Sequence, residues 1–216
     1  MDLETEISDI VNELTNKHNC HTIIVYGSRA NNTHNENSDI DLACFIESGE
    51  SYTDCRLRDN LYLDAWIYPE NYVLSDGEKL KLLNGKVLIQ KENFGDNILA
   101  MVNDFYKKGP PKIKESEFIH EVTWCEKTLK RVLKGDIEGN YRRLLLISAL
   151  LEYYFMLSNK WYLGAKASLL WLKQYDIEMY NKFDLLFAHP ENNENLQEVV
   201  NFITQVLPNN NVGKIV

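Results

Sequence analysis

The sequence predicts an α+β protein, with a mixed β-sheet flanked by helices at its N-terminal end and an all-helical bundle after it. Two observations predict this division. Strand-like runs of β-branched and aromatic residues occur before residue 91, whereas apolar residues recur at helical spacing from residue 115 onward. The segment Gly109-Pro110-Pro111 is the strongest break between the two patterns. We therefore expect two domains, at residues 1–111 and 112–216.

The first domain is predicted to alternate helices with short strands. Residues 4–17 form an amphipathic pattern, with Ile7, Ile10, Val11 and Leu14 at helical spacing. Strands are predicted where apolar runs are bounded by turn residues, at 22–26, 39–46, 61–68 and 86–90, and a helix is predicted at 97–106. The second domain is predicted to contain helices with short connections, at 115–133, 141–159, 165–175, 177–187 and 194–207.

Charge narrows the class of function. The chain carries a net charge of −9, which argues against a general nucleic-acid binder because such proteins use basic faces to neutralise phosphates. Residues 1–111 carry net −9, residues 112–173 net +4 and residues 174–216 net −4. An acidic domain beside a locally basic helical segment suits a metal–phosphate ligand, although exposed lysines on ordinary helices produce the same pattern.

The composition also predicts where the protein works. The acidic, polar N-terminus lacks the features of a signal peptide, and no apolar stretch is long enough to span a bilayer. The four cysteines are scattered without a C-x-x-C pair, which favours reduced thiols over a disulfide framework. We expect a cytoplasmic protein that does not bind membranes.

The segment most informative about chemistry lies between the first two predicted strands. The first strand ends at Gly27-Ser28, and ten residues later Ser38 precedes Asp39-Ile40-Asp41-Leu42. A glycine at a strand end lets backbone N–H groups approach an anion, and a helix N-terminus after it favours phosphate. Asp39 and Asp41 are two apart on a predicted strand, so their carboxylates should share one face while Ile40 and Leu42 enter the core. Carboxylates beside a phosphate site suit Mg²⁺.

A third carboxylate, Asp64, interrupts the otherwise apolar predicted strand 61–68. A buried, unpaired carboxylate costs several kcal/mol, so a cation or hydrogen-bond donors are expected beside it. If this strand neighbours the strand of Asp39 and Asp41, the three carboxylates converge in the manner of a two-metal site. The alternative is a surface carboxylate on a half-exposed strand.

These residues carry a resemblance. Gly27-Ser28, followed by Asp39, Asp41 and the later strand residue Asp64, resembles the signature of the DNA polymerase β-like nucleotidyltransferase superfamily. The order of the C-terminal helices is similar to that of the small antibiotic-modifying members, such as the aminoglycoside nucleotidyltransferases. The resemblance implies an N-terminal nucleotidyltransferase domain and a C-terminal helical domain that contributes to acceptor and nucleotide binding.

Site residues follow from the resemblance position by position. Gly27 and Ser28 would hold the triphosphate, and Asp39 and Asp41 would bind two Mg²⁺ ions. Asp64 would complete the metal set and help deprotonate the acceptor hydroxyl. Two weaker candidates for the edge of the triphosphate site are Arg29 and Ser38, and a solvent-exposed position at a helix start is the alternative for Arg29.

Two residues of the helical domain are also candidates. Glu152 is one of few polar residues in 144–157 and is predicted to lie in apolar surroundings, which favours its use as a general base; relatives that modify aminoglycosides use a glutamate of the helical domain in this way. The alternative is a structural pair with Arg142, Arg143 or Lys166. Lys166 is a candidate ligand of the β- and γ-phosphates, with an exposed lysine at a helix start as the alternative.

The resulting prediction is a Mg²⁺-dependent enzyme of antibiotic resistance that moves a nucleoside monophosphate from an NTP, with ATP expected, to a hydroxyl of a small acceptor such as an aminoglycoside. Pyrophosphate is released. One alternative is adenylylation of a partner protein or of tRNA, as in toxin–antitoxin systems. Another is a non-catalytic nucleotide-binding module. A homodimer is among the expected assemblies.

Overall fold

The computed structural model describes residues 3–36, 38–58 and 61–206. The chain divides into two compact units, Met1–Lys108 and Gly109–Val216. The boundary lies at the Gly109-Pro110-Pro111 segment, where proline cannot supply a backbone N–H to a continuing helix.

The first unit contains helices on both sides of one sheet. In chain order its elements are α1 Leu3–His18, β1 Thr22–Tyr26, α2 Gly27–Ala30, β2 Ile40–Ile46, β3 Tyr52–Arg58, β4 Leu61–Pro69, α3 Asp76–Lys81, β5 Lys86–Ile89 and α4 Phe94–Lys107. The predictions for α1, β1, β2, β4, β5 and α4 are confirmed to within three residues at each end. The α+β fold class is confirmed as well.

The sheet has five strands in the order β3-β4-β2-β1-β5. β2 and β4 run parallel, and the other three neighbouring pairs are antiparallel, so the sheet is mixed. One face packs on α1 through Ile40 and Leu42 of β2, with Ile10 and Leu14 of the helix. The other face carries Phe45 and packs on α4 and on Leu74 and Leu82, which flank α3. β2 is buried on both faces, as expected for a central strand.

Two elements of the first unit were not predicted. β3 is an edge strand with exposed and half-buried residues in alternation, so its sequence lacks an apolar stripe. Its charged residues bind α1 instead: Arg56 pairs with Glu13, and Asp54 accepts hydrogen bonds from Lys17 and His18. The six-residue α3 was missed as well, because a helix this short shows little periodicity.

The second unit is helical throughout its described residues. Its elements are α5 Glu115–Val132, α6 Ile137–Leu157, α7 Ala165–Tyr175, α8 Ile177–Ala188 and α9 Asn193–Asn201, and a π-helical turn at Phe202–Val206 follows. All five predicted helices are present, and Leu207, the predicted end of the last one, lies outside the described residues. α6 begins at Ile137, about one turn earlier than expected, because Asp136 caps it by accepting a hydrogen bond from the N–H of Gly139.

The bundle core is formed by one face of each helix, with α6 at its centre. Tyr154 and Phe155 are buried in this core, and Tyr153, Tyr162 and Trp171 pack against it. Among residues 3–36, 38–58 and 61–206, every helix is too short or too polar to cross a membrane.

Burial predicts how two leucines differ in their contribution to stability. Leu42 is 1% exposed in β2, whereas Leu57 is 70% exposed in β3. We expect Leu42→Ala to lower the free energy of unfolding by about 2 to 5 kcal/mol, because it leaves a cavity between the sheet and α1. Leu57→Ala is the matched control and should change it by about 0.5 kcal/mol or less. Urea unfolding measures both, and similar losses in the two variants would contradict the assignment of the core.

Candidate active site

A row of four side chains crosses the sheet on the face that α3 and α4 cover. The strand register aligns Tyr26 of β1 with Asp41 of β2, Asp41 with Asp64 of β4, and Asp64 with Cys55 of β3. Ile40 and Leu42 point to the opposite face and are buried against the α1 side, as predicted. The adjacency of the strands of Asp41 and Asp64, on which the predicted convergence of carboxylates depended, is therefore present.

Gly27 fits this row because it has no side chain. It follows β1 directly and has a φ of 68°, a left-handed conformation that favours glycine. A Cβ at this position would overlap the Oδ2 atom of Asp41. The carboxylate of Asp41 therefore lies against the backbone at the start of α2, where the sequence predicts a phosphate site.

The electrostatic environment of Asp41 is unusual for a carboxylate. Burial, and then the negative charges of Asp64 and Asp39, raise the pKa of Asp41 from 3.8 to about 6. The positive charges of Lys81 and Arg29 act in the opposite direction but do not cancel the rise. At neutral pH this arrangement holds several negative charges close together, which a cation would stabilise.

Asp39 differs from its predicted position. The strand begins at Ile40, so Asp39 precedes β2 and is exposed, while Asp41 is half-buried. The two carboxylates are thus near each other but do not both project from a strand. Asp39 is bound through its backbone: its carbonyl oxygen accepts a hydrogen bond of 3.0 Å from Nε of Arg29.

The remaining predicted phosphate ligands of this unit have different surroundings. Ser28 is half-buried at the start of α2. The hydroxyl of Ser38 accepts a hydrogen bond from the backbone N–H of Asn35 and donates one to its side chain, so it belongs to a turn of the loop. Arg29 is 7% exposed, which shows that the alternative of a solvent-exposed helix-start residue is wrong.

Asp64 has a partner that the sequence analysis missed. The thiol of Cys55 donates a hydrogen bond of 2.9 Å to Oδ1 of Asp64 from the neighbouring edge strand. Burial and this hydrogen bond raise the pKa of Cys55, so the thiol remains protonated and able to donate. Asp64 is half-buried, which lies between the buried position and the surface position considered from sequence.

α3 adds a second residue that was missed. Lys81 at its end lies 5.4 Å from the ring centroid of Trp66, on the face of Asp41 and Asp64. A cleft on this face is lined by Tyr26, Ala43, Trp66, Tyr68, Leu74, Glu78, Lys81 and Leu82. The signal for α3 was present in the sequence as Ser75-x-x-Glu78, which forms a capping box.

Asp39, Asp41 and Asp64 are the residues that could hold a metal ion here. Among the described residues, no three His, Cys, Asp or Glu side chains are already gathered closely enough to enclose a metal. The donor set nevertheless fits a hard divalent cation because it consists of carboxylate oxygens. Burial and the charges of Asp64 and Asp39, which raise the pKa of Asp41, disfavour its charged form, and a bound cation would offset that cost.

The two candidates of the second unit lie on different helices. Glu152 is on α6 and exposed, so the predicted apolar surroundings are wrong: α6 turns this residue away from the face that forms the bundle core. Of its suggested partners, Arg142 binds Glu138, and Arg143 donates to the carbonyl of Pro190. Lys166 is exposed in the first turn of α7.

The segment that contains Asp41, Asp64 and Cys55 is similar to a known family. Residues 8–93 match the family model described as polymerase beta, nucleotidyltransferase. Residues 8–93 thus form a nucleotidyltransferase domain. The match runs from α1 to the residue before α4, and it includes Gly27, Ser28 and all three carboxylates. No curated protein matches the chain. The nucleotidyltransferase domain supports transfer of a nucleotidyl group as the class of activity.

The raised pKa of Asp41 predicts a pH dependence of stability. The native state binds the proton of Asp41 more tightly than the unfolded state does. Protonation of Asp41 therefore adds to the free energy of unfolding fully below pH 4, and this stabilisation is lost as the pH rises through about 6. Because the carboxylate is half-buried, we expect about 1 to 3 kcal/mol of loss. Unfolding in EDTA from pH 4 to 7.5 should show wild type losing this amount relative to Asp41→Asn. A difference that is independent of pH would contradict it.

The contact between Gly27 and Asp41 predicts a second effect. Gly27→Ala adds both left-handed strain and an overlap with the carboxylate. Gly135→Ala is the matched control, with a φ of 72° and open space around it, and should cost about 1 to 2 kcal/mol of unfolding free energy. We expect Gly27→Ala to cost at least about 1 kcal/mol more in the transition of the first unit. Equal losses in denaturant unfolding would show that the overlap is relieved without cost.

Proposed function

We propose that this nucleotidyltransferase transfers a nucleoside monophosphate from an NTP, with ATP the first candidate, to a hydroxyl of a small acceptor in a Mg²⁺-dependent reaction. The observation that carries the proposal is the row in which Asp41 lies between Gly27 at the start of α2 and Asp64 on the adjacent strand. This row is inside the segment that matches the nucleotidyltransferase family.

Each predicted site residue of the first unit has a proposed task. Gly27 and Ser28 bind the triphosphate through backbone N–H groups and a hydroxyl, since the left-handed glycine exposes its backbone at the start of α2. Asp39, Asp41 and Asp64 hold two Mg²⁺ ions. Bound Mg²⁺ supplies positive charge to the phosphate oxygens and lowers the pKa of an acceptor hydroxyl.

The reaction exchanges one phosphorus–oxygen bond for another. The acceptor oxygen forms a bond to the α-phosphorus, the bond from that phosphorus to the bridging oxygen breaks, and pyrophosphate leaves. The hydroxyl proton passes to a carboxylate. Asp64 is the first candidate for this base, and Cys55 orients its carboxylate by donating to Oδ1. Glu152, an exposed carboxylate, is the second. Lys166 is proposed as a ligand of the leaving phosphates.

The acceptor we propose is cationic and hydroxylated, as aminoglycosides are. The support is the net charge of −9 on residues 1–111, which attracts cations at long range. This inference about the acceptor is independent of the transfer chemistry, so the two are tested separately.

The decisive assay combines the protein, Mg²⁺, each NTP labelled at the α-phosphate, and a panel of aminoglycosides, tRNA and cell-extract protein. We expect a small molecule to gain the mass of a nucleoside monophosphate as pyrophosphate appears. Asp41→Asn should reduce the rate at least about 1,000-fold, which corresponds to about 4 kcal/mol of transition-state stabilisation. Asp104→Asn is the matched control: Asp104 is an exposed residue of α4, and its substitution should leave the rate unchanged.

Other outcomes would change the assignment in different ways. Label on protein or tRNA alone would replace the small acceptor with a macromolecule and keep the chemistry. NTP binding without transfer to any acceptor would indicate a non-catalytic module. Undiminished transfer by Asp41→Asn would contradict the assigned site, and Glu152→Gln in the same assay decides between the two candidate bases.

A further inference from the structure

Arg29 is a buried cation whose hydrogen bonds go to the backbone. Its side chain projects from α2 one residue after Ser28, and the residue is 7% exposed. Nε donates 3.0 Å to the carbonyl oxygen of Asp39, and Nη2 donates 3.0 Å to that of Ser38. The planar guanidinium thus holds two consecutive peptide groups at once, which a lysine ammonium cannot do with the same geometry.

These bonds connect the two functional ends of one loop. The β1–β2 ladder ends at the pair Tyr26–Asp41, so Ser38 and Asp39 lie beyond the strand pairing that fixes Asp41. The described outer residues of the loop, 31–36, are exposed. Arg29 therefore supplies two hydrogen bonds that join the residues before β2 to the helix that carries Ser28.

The same geometry leaves one donor of Arg29 outside the loop bonds. Nε and Nη2 are occupied by loop carbonyls, and Nη1 is buried without a hydrogen-bond partner among the described residues. Nη1 is thus the donor that remains for a phosphate, so the predicted role of Arg29 at the edge of the triphosphate stays a prediction. The two observed bonds give the residue a further role in shaping the loop.

We propose that Arg29 is a positioning residue, which sets the distance between the carboxylate of Asp39 and the phosphate-binding turn at Gly27-Ser28. The proposal rests on the proposed function only in that Asp39 and Asp41 are taken to bind the metal. Removing the two guanidinium hydrogen bonds should increase the mobility of residues 38–39 and weaken metal binding. Asp41 should stay in place, because β2 pairs there with β1 and β4.

The test compares Arg29→Lys, which keeps the charge, with Arg29→Gln, which removes it. We measure the Kd for Mn²⁺ by electron paramagnetic resonance and amide hydrogen exchange at residues 38–41, both without NTP. We expect Mn²⁺ affinity to fall about 10- to 100-fold in both variants, as for partners that orient metal ligands. Exchange should rise at 38–39. The nucleotide Kd measured without metal should change less than the Mn²⁺ affinity.

Arg56→Lys is the matched control. Arg56 is held by Asp54 and Glu13 at the opposite face of the sheet, so this variant should lower Tm while leaving the Mn²⁺ affinity unchanged. Wild-type Mn²⁺ affinity and exchange in Arg29→Lys would overturn the proposal. A loss of Mn²⁺ affinity in Arg29→Gln but not in Arg29→Lys would also overturn the proposal, because the loss of positive charge would then explain the effect.

Failure of the proposed function has a separate signature. Wild-type protein that binds Mn²⁺ but transfers no nucleotide would contradict the function and leave the positioning role intact. If wild type binds no Mn²⁺, the metal-dependent function is contradicted, and exchange decides the positioning role alone: unchanged exchange at 38–39 in Arg29→Lys overturns it, and faster exchange supports it.

Discussion

The carboxylate of Asp41 packs against the backbone of Gly27, and the rest of the candidate site is arranged around this contact. It requires a glycine at the end of β1, since a Cβ there would overlap Oδ2. It also places a half-buried carboxylate beside Asp64, whose negative charge, after burial itself, contributes to the raised pKa of Asp41. Such an electrostatic cost is typical of sites where the charges have a function, and the function we propose for these carboxylates is to hold cations beside phosphates.

The two strands beyond β2 place further polar side chains beside Asp41. β4 runs parallel to β2 and brings Asp64 level with Asp41, and antiparallel β3 brings Cys55 level with Asp64. β3 is itself attached to α1 through the pairs of Asp54 and Arg56, on the opposite face. Ion pairs thus hold an edge strand with few buried apolar residues against α1, while its pairing with β4 places a thiol beside the third carboxylate.

The described helices of the second unit form a core of their own, so its fold is explained by amphipathic periodicity. Periodicity also explains why Glu152 is exposed, because residues 150, 151, 154 and 155 on the same helix are buried and leave 152 on the outer face. Apolar residues beside Glu152 in the sequence therefore do not surround it in the structure. The direction of a side chain around the helix axis decides whether it is buried.

The sequence by itself determined the mixed sheet, the helical second half and the Gly-Ser and Asp-x-Asp residues, because strand ends, turns and helical periodicity are local properties of the chain. It did not determine β3, α3, the burial of Arg29, or the partners Cys55 and Lys81. Apart from α3, whose capping box is local, each of these depends on contacts that form only in the folded chain: a polar edge strand pairs with β4 and contacts α1, and a guanidinium is buried only once the loop closes over it. The local sequence pattern does not predict strand pairing or loop closure of this kind, because the contacts that stabilise them form only when the chain folds.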